Sequence, residues 1–395
     1  MKKITLDSFI DLIMFFYILS LYLFTYREGF NIISNFLAFL LVFSIWIKIL
    51  LSKRKLLLNN FLIIYFIFII LSSISFFVAL DQNIVANKVK TLVLIFLVMI
   101  SLINYINSFN KIKKIVIYFV ISGIIISIFI LFNVNFSQIK RYGEEFGNVN
   151  AIGMIIGLSA TFCFYLILNQ KKHWCFLPFS VMIIAIFLTG SRKALLFVLM
   201  NILFIEYSIN RRSLKKIVKF LVISIIFIAF IYYLVFNIPF FYKIIGKRME
   251  ALFVFILEKD VTEDSINERS YMFKVGLKFF LNKPIFGYGL DNYRILYKNV
   301  PGGRETYSHN NFIELMTGIG IFGVIFYYIT HIIVLKDLLT CVRKTSDKII
   351  YFTFIAIIIS YILLSPSFVY YDNKHFSFLL SVASVMNRIE KKSNK

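Results

Sequence analysis

Long apolar stretches separated by short polar segments are the dominant pattern along this chain. Most of them are about 17–25 residues long, which is enough for a helix to cross the ~30 Å hydrocarbon core of a membrane. The pattern predicts spans at 8–26, 30–50, 60–80, 91–109, 115–134, 151–168, 174–190, 193–209, 217–236, 311–335, 349–365 and 375–388. The predicted fold class is therefore an all-α, polytopic integral membrane protein with about 12 transmembrane helices.

One connection is much longer than the others. Residues 237–310 lie between the ninth and tenth predicted spans and contain NERSYMFKVGLKFFLNKPIFGYGLDNY. Apolar residues recur at helical spacing from Met272 to Phe280, which predicts an amphipathic helix of about 14 residues that Pro284 ends. This helix can lie on the bilayer surface, and it can also line a site for a lipid-linked substrate. The predicted division of the chain is spans one to nine, the long loop, and the last three spans with a cytoplasmic tail, at 1–236, 237–310 and 311–395.

The distribution of basic residues predicts the orientation. Only 16% of the residues are charged, against ~25% in soluble domains, and the net charge is +23. With Met1 in the cytoplasm, the inner segments hold 24 Lys and Arg, the short outer loops hold 8 and the long outer loop holds 11. This positive-inside pattern predicts that both termini are cytoplasmic and that the long loop is extracytoplasmic. Orientation and contact with lipid headgroups account for most of the basic charge, so no nucleic-acid partner is expected.

Basic residues also occur at the predicted outer ends of the spans. The candidates are Arg192 and Lys193 in TGSRKALL, Arg141 in RYGEEFGNVNAIG, and Arg269 in the long loop. Arginine presents a planar fork of donors that matches phosphate oxygens, so several arginines at the outer face suit a diphosphate at headgroup level. Each side chain can also simply extend to the membrane interface, and the residues alone leave both interpretations open.

The segment TYSHNNFIELMTGIGIFG changes from polar to apolar where a span begins. Asn311 and Glu314 have the spacing of a capping box, which predicts that they start the helix. His309 lies just before this helix, and a neutral imidazole can accept a proton from an attacking hydroxyl. A histidine at such a junction can equally be a helix-entry residue.

Metal chemistry is not expected. The 3 cysteines and 4 histidines include no pair with metal-ligand spacing, and they imply no disulfide framework. We therefore expect no metal and no cofactor. If a metal were required, the carboxylates to consider would be Glu268, Asp291 and Glu314.

Three segments, taken in order, resemble the superfamily of O-antigen ligases and Wzy-type polysaccharide polymerases. They are TGSRKALL, NERSYMFKVGLKFFLNKPIFGYGLDNY and YSHNNFIELMTGIGIFGVIFYY. The resemblance covers roughly 185–330 by motif and the whole chain by topology. It implies a donor oligosaccharide on undecaprenyl diphosphate at the outer face of the bacterial inner (plasma) membrane. It also implies an inverting, metal-independent transfer to a hydroxyl of an acceptor glycan.

The resemblance implies roles for individual residues as well. Arg192 matches the Arg of the family's Arg-x-x-x-Leu motif, with Leu196 as the Leu, and Arg269 matches the Arg that opens the loop helix. Family members use both for the diphosphate. His309 matches the loop His that is proposed as the acceptor-activating base. Further candidates for substrate binding are Arg141, Asn150, Lys193, Glu268 and Asn310.

Three functions are compatible with these features. The first, which we expect, is a polymerase of O-antigen, capsule or exopolysaccharide repeat units, in which donor and acceptor are both lipid-linked. The second is a ligase that transfers the glycan to lipid A–core or another acceptor. The third is a flippase for lipid-linked oligosaccharides, which would show internal repeats and no long outer loop. Membrane lipid and a chain-length regulator protein are the other candidate partners.

Overall fold

The structure is a computed structural model of the chain. It describes residues 5–27, 29–53, 55–135, 141–170, 173–258, 264–343, 345 and 347–393. These residues form helices and turns, and no β-strand occurs among them. The prediction of an all-α fold is confirmed.

The helices follow one another along the chain, and four of them lie in the long loop between the ninth and the fourteenth. Their bounds are α1 Leu6–Leu23, α2 Asn31–Leu51, α3 Asn60–Ile74, α4 Gln82–Tyr105, α5 Phe109–Phe132, α6 Val149–Gln170, α7 Phe176–Thr189, α8 Arg192–Asn210, α9 Leu214–Asn237, α10 Pro239–Phe241, α11 Lys247–Glu258, α12 Asp264–Asn282, α13 Tyr293–Lys298, α14 Asn311–Val342, α15 Lys348–Leu364 and α16 Lys374–Ser393. Within the described part of the chain, 9 helices are long and apolar enough to cross a membrane, namely α1 to α6, α8, α14 and α15. This confirms a multi-pass membrane protein.

Helices also occupy the other three predicted spans. At 14 residues, α7 is apolar but short, and α9 has 24 residues. The most polar of the three is α16, which carries Ser377, Ser381 and Ser384 and is buried over most of its length, where it packs along α4. A helix that is surrounded by protein needs no apolar outer surface, and this explains its low hydropathy.

The chain divides into two compact units that alternate along the sequence. The first unit comprises Met1–Leu37, Asn110–Thr262 and Cys341–Tyr361. The second comprises Ala38–Phe109, Glu263–Thr340 and Ile362–Lys395. The three segments predicted from the sequence follow membrane topology rather than packing, and that division stays a prediction.

In the first unit, α6 is a central helix, with 83% of its span buried. Gly153 and Gly157 lie four residues apart on the face toward α8, where an added Cβ would crowd side chains of that helix. Small residues at these positions let the two helices approach closely. The buried Asn201 of α8 then donates to Thr161 of α6 at 3.2 Å and accepts from Ser360 of α15 at 2.9 Å. The first unit is thus held by close helix packing and by satisfied polar groups.

In the second unit, α14 is interrupted near its start. Gly320 has φ 69° and ψ −169°, a backbone conformation that is open essentially only to glycine. The N–H of Ile321 donates to the carbonyl oxygen of Pro284 at 2.8 Å, so a residue of the long loop supplies its acceptor. A Cβ on Gly320 would collide with the carbonyl oxygen of Ile285. The chain that follows α12 therefore packs directly against the break.

We call residues 284–292 the GYG segment. Beyond Pro284, the N–H of Tyr288 donates to the carbonyl oxygen of Thr317 at 2.8 Å, and that of Gly289 donates to Gly318 at 2.9 Å. Carbonyl groups that the break leaves without helical partners are satisfied in this way. The GYG segment fixes both ends of the interruption in α14.

Candidate functional site

The predicted site residues fall into two groups, one in each unit. Arg141, Asn150, Arg192 and Lys193 belong to the first unit. Glu268, Arg269, His309 and Asn310 belong to the second. Each group is described within its own unit.

Arg141 and Asn150 meet at the turn between α7 and α8. The Arg141 Nη2 donates to Asn150 Oδ1 at 2.8 Å, and its Nε donates to the carbonyl oxygen of Thr189 at 2.7 Å. Gly190 follows with φ 59° and ends α7. The Arg141 guanidinium therefore fixes the backbone from which α8 and Arg192 begin.

Arg192 is the first residue of α8, and its guanidinium donates to the carbonyl oxygen of Arg248. The guanidinium of Arg248 donates in turn to the carbonyl oxygen of Gly190 at 2.8 Å. Arg141, Arg192 and Arg248 thus gather around one turn, and we call them the arginine cluster. Half-buried Lys193 adds a further positive charge. Such a concentration of charge fits an anionic group.

Arg248 was missed in the sequence analysis. It is one of 11 basic residues in the long loop, and its neighbours Lys243 and Lys247 give it no distinguishing pattern. Only its contact with the α7–α8 turn, which lies 58 residues earlier in the chain, separates it from the rest.

The amphipathic helix of the long loop is present as α12. The apolar face that the spacing identified is covered by protein, because Met272 and Val275 are buried together with Tyr293, Tyr297 and Ile313. A second face exposes apolar side chains, at Phe273, Leu277 and Leu281. If α12 lies on the bilayer surface, this second face is therefore the one that would contact the lipid.

Arg269 and Glu268 lie in the second turn of α12. Arg269 is the sixth residue of the helix, so the expectation that it opens the helix is wrong by more than a turn. Its side chain is half-buried. Glu268 forms an ion pair with Arg304, with 2.9 Å between the guanidinium nitrogen and the carboxylate oxygen. The carboxylate of Glu268 is thus already engaged.

His309 lies directly before the cap of α14. Its φ of 56° is in the left-handed region, which is uncommon for a residue other than glycine. The side chain is half-buried, and its ring lies 4.1 Å from that of Tyr307 between centroids. Asn310 caps the helix, because its Oδ1 accepts from the N–H groups of Phe312 and Ile313 at 2.9 and 3.2 Å. The structure thus places His309 at a fixed point of the backbone.

The predicted capping box is wrong. The capping residue is Asn310 rather than Asn311, and Glu314 accepts from the N–H of Ser308 at 2.8 Å. Because this contact spans the residues on both sides of His309, it holds the left-handed turn closed. The sequence could not separate two adjacent asparagines, since either can precede the first turn of a helix.

Asn311 has a different role, which links α14 to the chain before α16. Its Oδ1 accepts from the N–H groups of Tyr370 and Tyr371 at 2.9 and 3.0 Å. Its Nδ2 donates to the hydroxyl group of Tyr328 at 3.0 Å. A fully buried asparagine with three such contacts is a structural residue.

The second unit also contains a charged group that sequence analysis did not assemble. Asp291 is buried, with the guanidinium of Arg294 at 2.7 Å and the ammonium of Lys88 at 3.7 Å from its carboxylate. Lys88 also contacts Asp372 at 2.5 Å. Burial raises the pKa of Asp291, while Lys88 and Arg294 oppose that rise. These four residues form what we call the charge network, and it joins α4, the GYG segment, α13 and the chain before α16.

The GYG segment contacts the connection between α3 and α4 as well. Asn292 Oδ1 accepts from the N–H of Asp81 at 2.7 Å, and its Nδ2 donates to the carbonyl oxygen of the same residue. The N–H of Leu290 donates to Ser75 Oγ at 3.1 Å. The part of the long loop that precedes His309 is therefore anchored to the helices of the second unit.

Among the described residues, no group of three or more His, Cys, Asp or Glu side chains could hold a metal ion. The carboxylates of Glu268, Asp291 and Glu314 all accept contacts from protein groups. The expectation of metal-independent chemistry stays a prediction.

The fold defines the class of this protein, an all-α, multi-pass membrane protein with further helices between α9 and α14. Residues 177–328 match the family model of the O-antigen ligases. This match confirms, over that part of the chain, the resemblance drawn from the three sequence segments. It supports an enzyme of the ligase or polymerase type, and it favours both equally. No curated protein matches the chain.

Proposed function

We propose that this protein is a membrane glycosyltransferase that polymerises oligosaccharide repeat units carried on undecaprenyl diphosphate. The observation that carries the proposal is His309, a non-glycine residue in a left-handed conformation immediately before a capped helix. Conformations of this kind persist where the surrounding structure enforces them, and they concentrate at functional sites. The match of residues 177–328 to the ligase family supports the reaction class.

The arginines supply the diphosphate chemistry in this proposal. Arg192 and Arg269 bind the diphosphate of the donor, and Arg141 with Asn150 fixes the turn that presents Arg192. Negative charge develops on the diphosphate oxygen as it leaves the sugar. Guanidinium groups that are fixed in advance stabilise this charge, and they do so without a metal ion.

His309 supplies the base. A ring nitrogen of the neutral imidazole accepts the proton of the acceptor hydroxyl as its oxygen attacks the anomeric carbon of the donor. A new glycosidic bond forms, the bond from the anomeric carbon to the diphosphate oxygen breaks, and the electron pair leaves with undecaprenyl diphosphate. Attack opposite the leaving group inverts the configuration at the anomeric carbon. The proton on the imidazolium then returns to solvent.

A ligase is the second candidate, and the match to the O-antigen ligase family supports it at least as well as a polymerase. The donor, the diphosphate chemistry and the base would be the same. Only the acceptor would differ, since a ligase transfers the glycan to lipid A–core or another acceptor and not to a lipid-linked repeat unit.

Deletion of the gene, followed by extraction and sizing of the lipid-linked glycans, separates the two. Loss of a polymerase leaves single repeat units on the lipid carrier, because units can no longer be joined. Loss of a ligase leaves long polymers on the lipid carrier, because joining continues while transfer stops. A deletion strain with unchanged lipid-linked and surface glycans would exclude both functions. Restoration by wild-type protein, and its absence with the Arg192→Ala variant, ties the result to this site.

A further inference from the structure

We propose that the first unit has a second binding site, for a phosphate-bearing anion, at the other end of α8 from Arg192. A cavity of about 450 Å³ lies where α8 and α14 end and α15 begins. Basic side chains surround it, and they are Arg211, Arg212, Arg343 and Lys348. This site is independent of the proposed transfer reaction and of the residues assigned to it.

The chemistry of the lining matches a phosphate group next to an apolar chain. The four basic side chains are exposed to solvent and so accessible to a ligand, and none of the described lining residues is acidic. Four cations around one cavity repel one another, and an anion between them relieves this repulsion. Buried Val342 and Phe352 line the cavity as well and provide an apolar surface for the first carbons of an acyl chain.

The nearest carboxylates in the sequence do not line the cavity. Glu206 accepts from the side-chain amide of Asn210 at 2.8 Å. Asp347, which directly precedes Lys348, pairs with Lys113 at 3.6 Å. The positive charge of the cavity is therefore available to a ligand. In addition, α15 begins at Lys348, and the N–H groups at the start of a helix favour an anion.

The basic residues of the cavity lie in the connection from α8 to α9 and in that from α14 to the first residue of α15. The positive-inside rule accounts for basic residues in these two connections, but it does not specify where along a connection they lie. It does not account for a cavity that is lined by four basic side chains and by buried apolar ones. Both connections are predicted to be cytoplasmic, and basic cavities between helices on that side bind the headgroups of anionic lipids. A soluble phosphate compound offers the same chemistry, so the experiment has an arm for each source.

The test uses the purified full-length protein and its thermal unfolding. One arm adds phosphatidylglycerol, with the same amount of phosphatidylcholine for comparison. The other arm adds sodium phosphate, with sodium chloride at the same ionic strength for comparison. The site variant is Arg212→Gln with Arg343→Gln. The matched control is Lys215→Gln with Lys219→Gln, which removes the same charge from exposed residues outside the cavity lining.

We expect phosphatidylglycerol to raise the unfolding temperature of the wild type and of the control, because a ligand that binds the folded state stabilises it. In the site variant, the concentration that gives the half-maximal shift should rise roughly thirtyfold, from about fivefold per basic residue. Unfolding without ligand at the same temperature in both variants shows that the site variant is folded.

Each outcome of the two arms has one meaning. A shift with phosphatidylglycerol that depends on the cavity residues identifies a lipid headgroup as the source. A shift with sodium phosphate that depends on the same residues identifies a soluble phosphate compound. Equal responses of the site variant and the control in both arms would overturn the proposal, as would equal shifts with phosphatidylglycerol and phosphatidylcholine.

Discussion

His309 combines two properties that substitutions can separate, a left-handed backbone and an imidazole ring. The backbone is enforced from both sides, since Asn310 caps α14 and Glu314 holds the N–H of Ser308. Glycine adopts this conformation without strain, whereas alanine does not. If only the backbone matters, His309→Gly should keep its activity and His309→Ala should lose it, whereas if the ring matters both variants should lose it.

If His309 is the base, His309→Gly and His309→Ala should both lower turnover by roughly 10²–10⁴-fold, with donor binding preserved. The assay is glycan chain formation in a deletion strain, together with donor binding to the purified variants. His309→Gln serves as a control, because an amide fills the space but cannot take the proton. A His309→Gly variant with normal turnover would reduce His309 to a helix-entry residue.

Arg192 tests the role of a bidentate cation. Arg192→Lys keeps the charge but loses the planar fork, so activity should fall while part of the donor binding survives. Arg192→Ala and Arg269→Ala should weaken both donor binding and turnover. The control is Arg27→Lys, on an exposed arginine that stacks on Phe30. Unchanged donor binding in Arg192→Ala would remove Arg192 from the diphosphate site.

Removal of metal ions tests the carboxylates. Glu268 and Asp291 pair with arginines, and Glu314 accepts a backbone N–H, so binding a metal would require breaking these contacts. We therefore expect polymerisation in purified membranes to continue in excess EDTA. Activity that disappears and returns with Mg²⁺ or Mn²⁺ would contradict this and direct attention to these three residues.

At the scale of elements, the long loop and α14 depend on each other. The GYG segment satisfies backbone groups on both sides of the break at Gly320 and bonds to the connection between α3 and α4. Close backbone contact of this kind requires glycine, because any side chain would occupy the space of the neighbouring chain. The GYG segment is therefore a packed part of the second unit.

Gly320→Ala should destabilise the protein by roughly 3–5 kcal/mol, since it adds both backbone strain and a collision with Ile285. Gly302→Ala is the matched control, because Gly302 has the same φ of 69° but nothing within 4 Å of an added Cβ. It should cost about 1 kcal/mol. Thermal unfolding of the purified variants measures the difference, and equal losses would show that backbone strain alone matters at both positions.

Sequence patterns predicted the helices well, but they predicted contacts between distant parts of the chain poorly. The spans and α12 follow from hydrophobic period and length, which are local properties of the chain. The contact of Lys88 with Asp372 joins residues that are 284 positions apart, and no local pattern signals it. Arg248 was missed for the same reason, because only its contact with the carbonyl oxygen of Gly190 distinguishes it from the other basic residues of the loop. Hydrophobic periodicity therefore predicts the helices, whereas the contacts of the candidate site become visible only when the packing of the helices is known.

At the scale of the whole molecule, the orientation in the membrane rests on the charge distribution. The predicted inner segments hold 24 basic residues and the short outer loops hold 8. A reporter fused after Lys298 should be extracytoplasmic, and one fused after Lys216 should be cytoplasmic. Enzymatic reporters that are active on only one side of the membrane check both. A cytoplasmic reporter after Lys298 would place the long loop on the wrong side for the proposed donor.

The break in α14 has a consequence for how the newly synthesised chain matures. Ile321 belongs to a span, yet its N–H is satisfied by Pro284, which is made earlier and which, in the predicted orientation, has to be carried across the membrane first. An unsatisfied N–H in hydrocarbon costs several kcal/mol. This span can therefore reach its final state only after translocation of the preceding loop is complete. A chain whose export stalls would keep α14 unfinished, which would mark it for degradation before it could bind donor.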